Sequence, residues 1–274
     1  MFKNQYNSNP IIFSPDGQLL QINFATKASE RGNLSLSLKS RNHSILFSSL
    51  KLEQIQSNKE NRIMILGNNI SLVTTGISKD GKFLSEILKK KKFEIEHSSN
   101  RFSQIPELVQ ICSKVISRNT YYSNTRPFGI KFLMIGYDTT GPSIIDFNPD
   151  GSFQRQNYSA QGKGANKVLS SIENFSGEFI DFSVDELIIT IFFIYSESPG
   201  DNHVNQAFEK SFSISFLGKN SELLVLRENI IQFYLKIFQN KIKKQTENQI
   251  EKTRDIDNWD TDSSVDWSTY DSEM

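Results

Sequence analysis

The chain has 274 residues, with 31 Lys and Arg balancing 31 Asp and Glu, 37% hydrophobic residues and one cysteine. That length exceeds an average domain but suits one large core. No run approaches the roughly 20 apolar residues of a membrane helix, Cys112 cannot form an intrachain disulfide, and His43, His97 and His203 lie far apart without ligand-spaced companions, so membrane-spanning, disulfide-stapled and metal-centred classes are excluded.

Met1 to Pro10 is polar and lacks the apolar centre of a signal peptide, which points to a reducing compartment, cytosol or nucleus. Ser14-Pro15-Asp16-Gly17 reads as a turn that redirects the chain into a helix beginning near Gln18. Leu19, Ile22, Ala25 and Ala28 sit at helical spacing as its buried face. Leu34, Leu36 and Leu38 alternate with Ser35, Ser37 and Lys39, the period of a strand with one face buried, and His43 to Leu52 reads as its partner. Arg62 to Leu66 and Ile70 to Thr75 form a second predicted pair around Gly67-Asn68-Asn69. The period then lengthens. Phe83, Leu84, Ile87 and Leu88 share a helical face, followed by Lys89 to Lys92, which reads as solvated. Ile105, Leu108, Val109, Cys112, Val115 and Ile116 repeat the helical spacing, with Pro106 in the first turn, where its missing N–H is tolerated.

Ile130 to Tyr137 is a continuous apolar run, as in a strand covered on both faces. Ser143 to Phe147, Gly151 to Gln156 and Tyr158 to Gln161 read as short strands. Gly162-Lys163-Gly164 lacks the third glycine and the Lys-Ser/Thr ending of a phosphate loop, and reads as a tight turn into a helix from Ala165 to Phe175. Val184 to Tyr195 reads as a second helix, its apolar stretch too short to span a bilayer. Ser211 to Leu217 alternates Phe212, Ile214 and Phe216 with serines, a strand with Leu223 to Leu226 as its hairpin mate, and Glu228 to Lys244 closes the body as a helix. Grouped strands and grouped helices predict an α+β fold of two packed sheets with helix layers outside.

Beyond that helix the chain is polar and acidic. After Arg254 it has no Lys or Arg, but seven acids: Asp255, Asp257, Asp260, Asp262, Asp266, Asp271 and Glu273. Removing these seven from the 31 acidic residues leaves 24 against 31 basic ones, so the body carries about +7 and the tail about −7. The basic residues of the body form no basic-aromatic stripe, so nucleic acid is not the expected partner. Trp259, Trp267 and Tyr270 stand among the tail acids, either as anchors for a basic surface or within a plain solubilising tail. Ser263, Ser264 and Ser272 have acidic neighbours that suit phosphorylation.

Met1-Phe2-Lys3-Asn4-Gln5-Tyr6, Ser14-Pro15-Asp16-Gly17, Gln21-Ile22-Asn23-Phe24-Ala25 and Arg31-Gly32 together resemble the signature of proteasome alpha subunits. The first six residues resemble most the alpha type-1 branch, which implies the sixth alpha seat. The resemblance continues through Thr75-Gly76, Arg126-Pro127-Phe128-Gly129, Gly136-Tyr137-Asp138, Gly141-Pro142, Pro149-Asp150-Gly151, Gly162-Lys163-Gly164 and Gly218-Lys219. It implies a single-domain, four-layer αββα sandwich of the N-terminal nucleophile hydrolase type. Residues 1–17 would be a gate segment, 18–244 the αββα domain beginning with the ring helix, and 245–274 an acidic disordered tail. The implied partners are other alpha subunits in a seven-membered ring, the beta subunits of the adjacent ring, and regulatory or activator particles. The implied role is assembly, gating and regulator docking in ubiquitin-dependent and other intracellular protein degradation. No cofactor, metal, nucleic acid or membrane is implied.

The resemblance also assigns sites. The family's gate uses Tyr-Asp near the start and Glu-Tyr-Ala in the first helix. Here Tyr6, Asn7, Pro15 and Phe24 stand in the gate region. Asn7 lacks a charge and Phe24 a hydroxyl, which implies a smaller contribution to an ordered open gate. A family Lys before the third strand receives the carboxylate of an activator tail. Arg62 takes its place, with a fixed charge but a planar fork, and a solvated surface Arg is the alternative. Beta subunits use an N-terminal Thr whose own amine is the base. Here Gly32-Asn33-Leu34 opens the first strand with no Thr after the glycine, some thirty residues precede it, and Gly-x-Ser-x-Gly does not occur. An active threonine-type peptidase is therefore the disfavoured alternative.

Overall fold

The computed structural model describes residues 9–50, 63–101, 103–122, 125–174, 179–196, 211–219 and 223–241. In chain order these form α1 (Leu20–Glu30), β1 (Ser35–Lys39), β2 (His43–Leu50), β3 (Ile63–Gly67), β4 (Ile70–Gly76), α2 (Ser78–Ser99) and α3 (Ile105–Tyr121). Then come β5 (Ile130–Asp138), β6 (Gly141–Phe147), β7 (Phe153–Gln156), β8 (Tyr158–Gln161), α4 (Ala165–Glu173), a single 3-10 turn (Phe179–Asp181) and α5 (Val184–Ser196). The body ends with β9 (Ser211–Gly218), β10 (Leu224–Val225) and a helix, α6, described over 228–241.

Two five-stranded antiparallel sheets result, with orders β10-β9-β2-β1-β8 and β3-β4-β5-β6-β7. The outer face of the first packs Leu36, Leu38, Ile45 and Phe47 against Val168, Ile172, Ile188, Ile191, Leu235 and Phe238 of α4, α5 and α6. The outer face of the second packs Leu72, Phe132, Met134 and Phe147 against Leu84, Leu88, Leu108 and Cys112 of α2 and α3. A smaller cluster of Leu46, Val73, Leu133, Ile135, Ile144 and Leu217 fills the space between the sheets. The layers are therefore α, β, β and α in one domain, as expected. Each fully buried Leu, Ile or Phe contributes about 1.5–3 kcal/mol relative to exposure.

The period-two strands bury more than one face. The leucines of β1 and the Phe212 and Ile214 of β9 face helices, as their alternation predicts. The serines between them do not face water. Ser35, Ser37, Ser213 and Ser215 are all buried, because that face meets the other sheet. Small hydroxyls permit the two sheets to approach, and some of them pair: Ser35 Oγ donates to Ser48 Oγ at 3.3 Å, and Ser71 and Ser215 Oγ lie 3.2 Å apart across the interface. Asp146 on β6 accepts from Ser159 Oγ and Gln161 Nε2 on β8, both at 2.6 Å, a further polar tie between the sheets.

Helix α2 also departs from its expected face. Leu84 and Leu88 are buried and Ile87 is half-buried, but Phe83 projects outward and is 56% exposed. Lys89, Lys90 and Lys91 are solvated, whereas Lys92 is buried and pairs with Glu96 at 2.5 Å. The helix stops at Asn100, which takes the left-handed conformation that short polar side chains tolerate at a C-terminus. Helix α3 starts with a capping box, Gln104 and Glu107 each accepting from the other's backbone, and buries Ile105, Leu108, Val109, Cys112 and Ile116 as the spacing predicts.

Candidate functional site

The turn before α1 follows from its residues. Gly17 N–H donates to Ser14 O at 2.8 Å, Ser14 N–H to Gln18 O at 2.9 Å, and Gln18 N–H to Ser14 Oγ at 3.2 Å. Pro15 presets the first central torsion, and Gly17 supplies the fourth position at φ +74°. Ser14 is buried and Pro15 exposed, so the turn is anchored by its first residue and presents its second. Leu19 remains extended and α1 begins at Leu20, two residues later than expected.

Helix α1 lies over the end of the sandwich where β4 finishes and β5 starts. Ala25 and Ser29 are buried, while Leu19, Ile22 and Ala28 are half-buried. Ser29 belongs to the contact because its hydroxyl folds back onto Thr26 O at 2.6 Å. Gly76 permits the close approach. Its φ is +123°, and a Cβ there would lie 2.3 Å from Gly129 O and 2.9 Å from Ser29 Cα. Beside it, Arg126 grips Asp80 through two 2.7 Å bonds, and Gly129 N–H donates to the same carboxylate at 3.0 Å. Burial pushes the Asp80 carboxyl up, but the hydrogen bonds from Arg126 and Gly129 and the guanidinium charge outweigh it and hold it below its ordinary value. This latch fixes the Arg126-Pro127-Phe128-Gly129 segment that α1 rests beside. Its partners are 46 residues apart, so no local pattern pairs them.

Four large apolar side chains of this region face outward, among exposed polar residues such as Asp16, Gln18 and Lys27. Ile11 is 47% exposed, Ile12 39%, Phe13 62% and Phe24 45%. Sequence reading missed the first three, because a short apolar run between polar residues carries no period. Among the site residues read from sequence, Pro15 and Phe24 fall on this arm and helix, on either side of the α1 start. Tyr6, Asn7 and Arg62 lie outside the described residues, Arg62 immediately before β3 begins at Ile63.

The resemblance would put a terminal nucleophile directly after Gly32, and Asn33 stands at that position. Asn33 precedes β1, its backbone nitrogen is in an amide with Gly32, and its side-chain Nδ2 donates to Ser49 O at 3.0 Å. Lys163 N–H donates to Gly32 O at 3.0 Å, so the Gly162-Lys163-Gly164 segment is the strand-to-helix turn that closes over this point. The lone pair of an amide nitrogen is delocalised into its carbonyl and is not available as a base, and a carboxamide does not replace the hydroxyl of a threonine nucleophile.

Comparison with known proteins gives these features a family. Residues 29–192, more than half of the chain, match the model of the family described as Proteasome subunit. The chain is 27% identical to the probable proteasome subunit alpha type-6 of Schizosaccharomyces pombe, over 84% of each chain. It is 25% identical to the proteasome subunit alpha type-1 of Drosophila melanogaster, over 82% of this chain and 81% of the relative. It is also 25% identical to the proteasome subunit alpha type-6 of Saccharomyces cerevisiae, over 86% of this chain and all of the relative. The sandwich, the helix over its end and these relatives agree: the chain belongs to the proteasome subunit family, as an alpha-type member.

Proposed function

We propose that the chain is a non-catalytic structural subunit of the alpha ring of the proteasome core particle. It assembles with other alpha subunits in a seven-membered ring, rests on a ring of beta subunits, narrows the passage of substrates and docks regulatory particles. The carrying observation is the N-terminal arm with α1. It lies over the end of the sandwich where β4 finishes and β5 starts, and it turns Ile11, Phe13 and Phe24 outward. Apolar side chains so placed suit a neighbouring subunit better than water. The amide-linked Asn33 supports the absence of catalysis by this chain. Tyr6, Asn7, Pro15 and Phe24 are proposed as its gate residues and Arg62 as its contact with a regulator's terminal carboxylate. The sixth alpha seat is proposed from the first six residues, and cytoplasm and nucleus as the location.

Native mass spectrometry of the chain purified from its own cells, with partners retained, tests this reading. A large particle holding seven distinct alpha and seven distinct beta chains is the expected result, and cross-linking to neighbours then fixes the seat. A monomer or a small complex overturns it.

A further inference from the structure

Helix α6 carries two apolar stripes. Ile231, Leu235 and Phe238 are buried against the first sheet and its helix layer. Ile230, Phe233 and Ile237 recur at i, i+3 and i+7 on a different face. Ile230 is 42% exposed and Phe233 60%, and Ile237 is half-buried. Lys236 and Lys241, both exposed, fall on the two flanks of this second stripe at 100° per residue. Tyr234 Oη donates to Asp185 Oδ1 of α5, which pins the helix and fixes the direction in which the stripe points. Among the described residues, Ile230 and Phe233 of this stripe lie open to solvent.

The chain continues from this same helix. Residues 242–274 follow it, and they contain both tryptophans of the protein, Trp259 and Trp267, together with Tyr270. After Arg254 the segment has seven acids and no base. We propose that the acidic aromatic segment 255–274 of this chain folds back onto the open stripe of α6, its rings covering Ile230 and Phe233 and its carboxylates facing Lys236 and Lys241. Reach is ample. Trp259 is eighteen residues past Lys241, and an extended chain spans at most about 3.3–3.6 Å per residue. The stripe from Ile230 to Ile237 is about 10 Å long at 1.5 Å per residue. Tethering raises the local concentration of the segment to the millimolar range, so contacts too weak to hold a separate peptide hold an attached one. Apolar rings supply the driving force, and the opposed charges select this face and weaken with salt.

The chain tests the proposal with its own fluorophores. Its two tryptophans both lie in the segment, so intrinsic tryptophan emission of the full-length chain reports on the segment alone. The expected emission is blue-shifted from that of a free peptide spanning 246–274, with acrylamide quenching severalfold weaker. Ile230→Ser with Phe233→Ser, and separately Lys236→Glu with Lys241→Glu, should return both readouts toward the peptide values. All four positions are outside the core, and circular dichroism melting verifies that each variant stays folded. If the first pair melts early, the charge-reversal pair carries the test. Emission of the unmodified chain equal to that of the free peptide overturns the proposal. A blue shift that survives both variant pairs overturns it also, because the segment is then seated elsewhere. A blue shift lost on dilution assigns the contact to a second copy and overturns the fold-back.

Discussion

Phe24 and Asp80 show how single atoms decide what this surface can do. The Phe24 ring is nearly half exposed on α1 and carries no hydroxyl, although the family resemblance places Tyr there. One ordinary hydrogen bond is worth about 0.5–1.5 kcal/mol. Phe24→Tyr should therefore leave the melting of the isolated chain unchanged and alter peptide hydrolysis by the activated particle by about two- to tenfold, the equivalent of that energy. Unaltered hydrolysis would remove Phe24 from the gate. Asp80 acts within the fold. Its folded pKa is depressed, so its contribution is fully present above the ordinary carboxylate pKa of about 3.9 and is lost as pH falls through the lower folded value. Asp80→Asn should cost about 1–3 kcal/mol near neutrality, toward the low end because the Arg126 side chain is mostly exposed. Urea unfolding of both proteins should show that gap constant between pH 7 and 5 and shrinking in stronger acid. A gap independent of pH down to 2 would mean that the carboxylate charge is not what the latch uses.

At the scale of elements, α2 separates what packs from what protrudes. Leu84 and Leu88 lie in the cluster between α2, α3 and the second sheet, whereas Phe83 on the same helix is 56% exposed. Leu84→Ala should cost about 2–5 kcal/mol, and Phe83→Ala should change the stability of the isolated chain by no more than about 0.5 kcal/mol. Chemical denaturation of the two variants checks the contrast, and equal losses would place Phe83 in the core. Sequence reading grouped these residues because all three fall near one helical face, and only the neighbouring layer decides which of them it buries: Phe83 touches Phe128 but stays mostly exposed. The same limit explains the serines. An alternation of Leu or Phe with Ser announces a strand and its helix-facing side, but the other side of the strand is silent about whether it meets water or a second sheet. In β1 and β9 it meets a sheet, so Ser37 and Ser215 are as buried as the residues between them. The order of strands and helices was legible because period and turn residues are local. The Asp80–Arg126 latch was not, because its partners are 46 residues apart in the chain. For the site, Pro15 was legible as a turn residue and Phe24 through resemblance, while the exposed Ile11 and Phe13 carried no pattern.

For the whole molecule, the ring contact proposed for the arm can be separated from folding. Ile11 and Phe13 are 47% and 62% exposed in the single chain, so their replacement removes little that holds the sandwich together. A ring neighbour that covered them would gain about 1.5–3 kcal/mol for each side chain fully buried. Ile11→Ser combined with Phe13→Ser should therefore melt with the unmodified chain and yet lose a competition for places in the particle. The measurement is co-expression of the tagged variant with the unmodified chain, followed by quantification of both in the purified particle. Two such burials together correspond to at least a tenfold preference for the unmodified chain. Equal incorporation with equal melting would show that the arm contacts no neighbour, and the exposed apolar residues would then serve the passage of substrate rather than the cohesion of the ring. Reduced melting of the variant would show instead that the arm belongs to the core of its own chain, so the two readouts together distinguish the three roles.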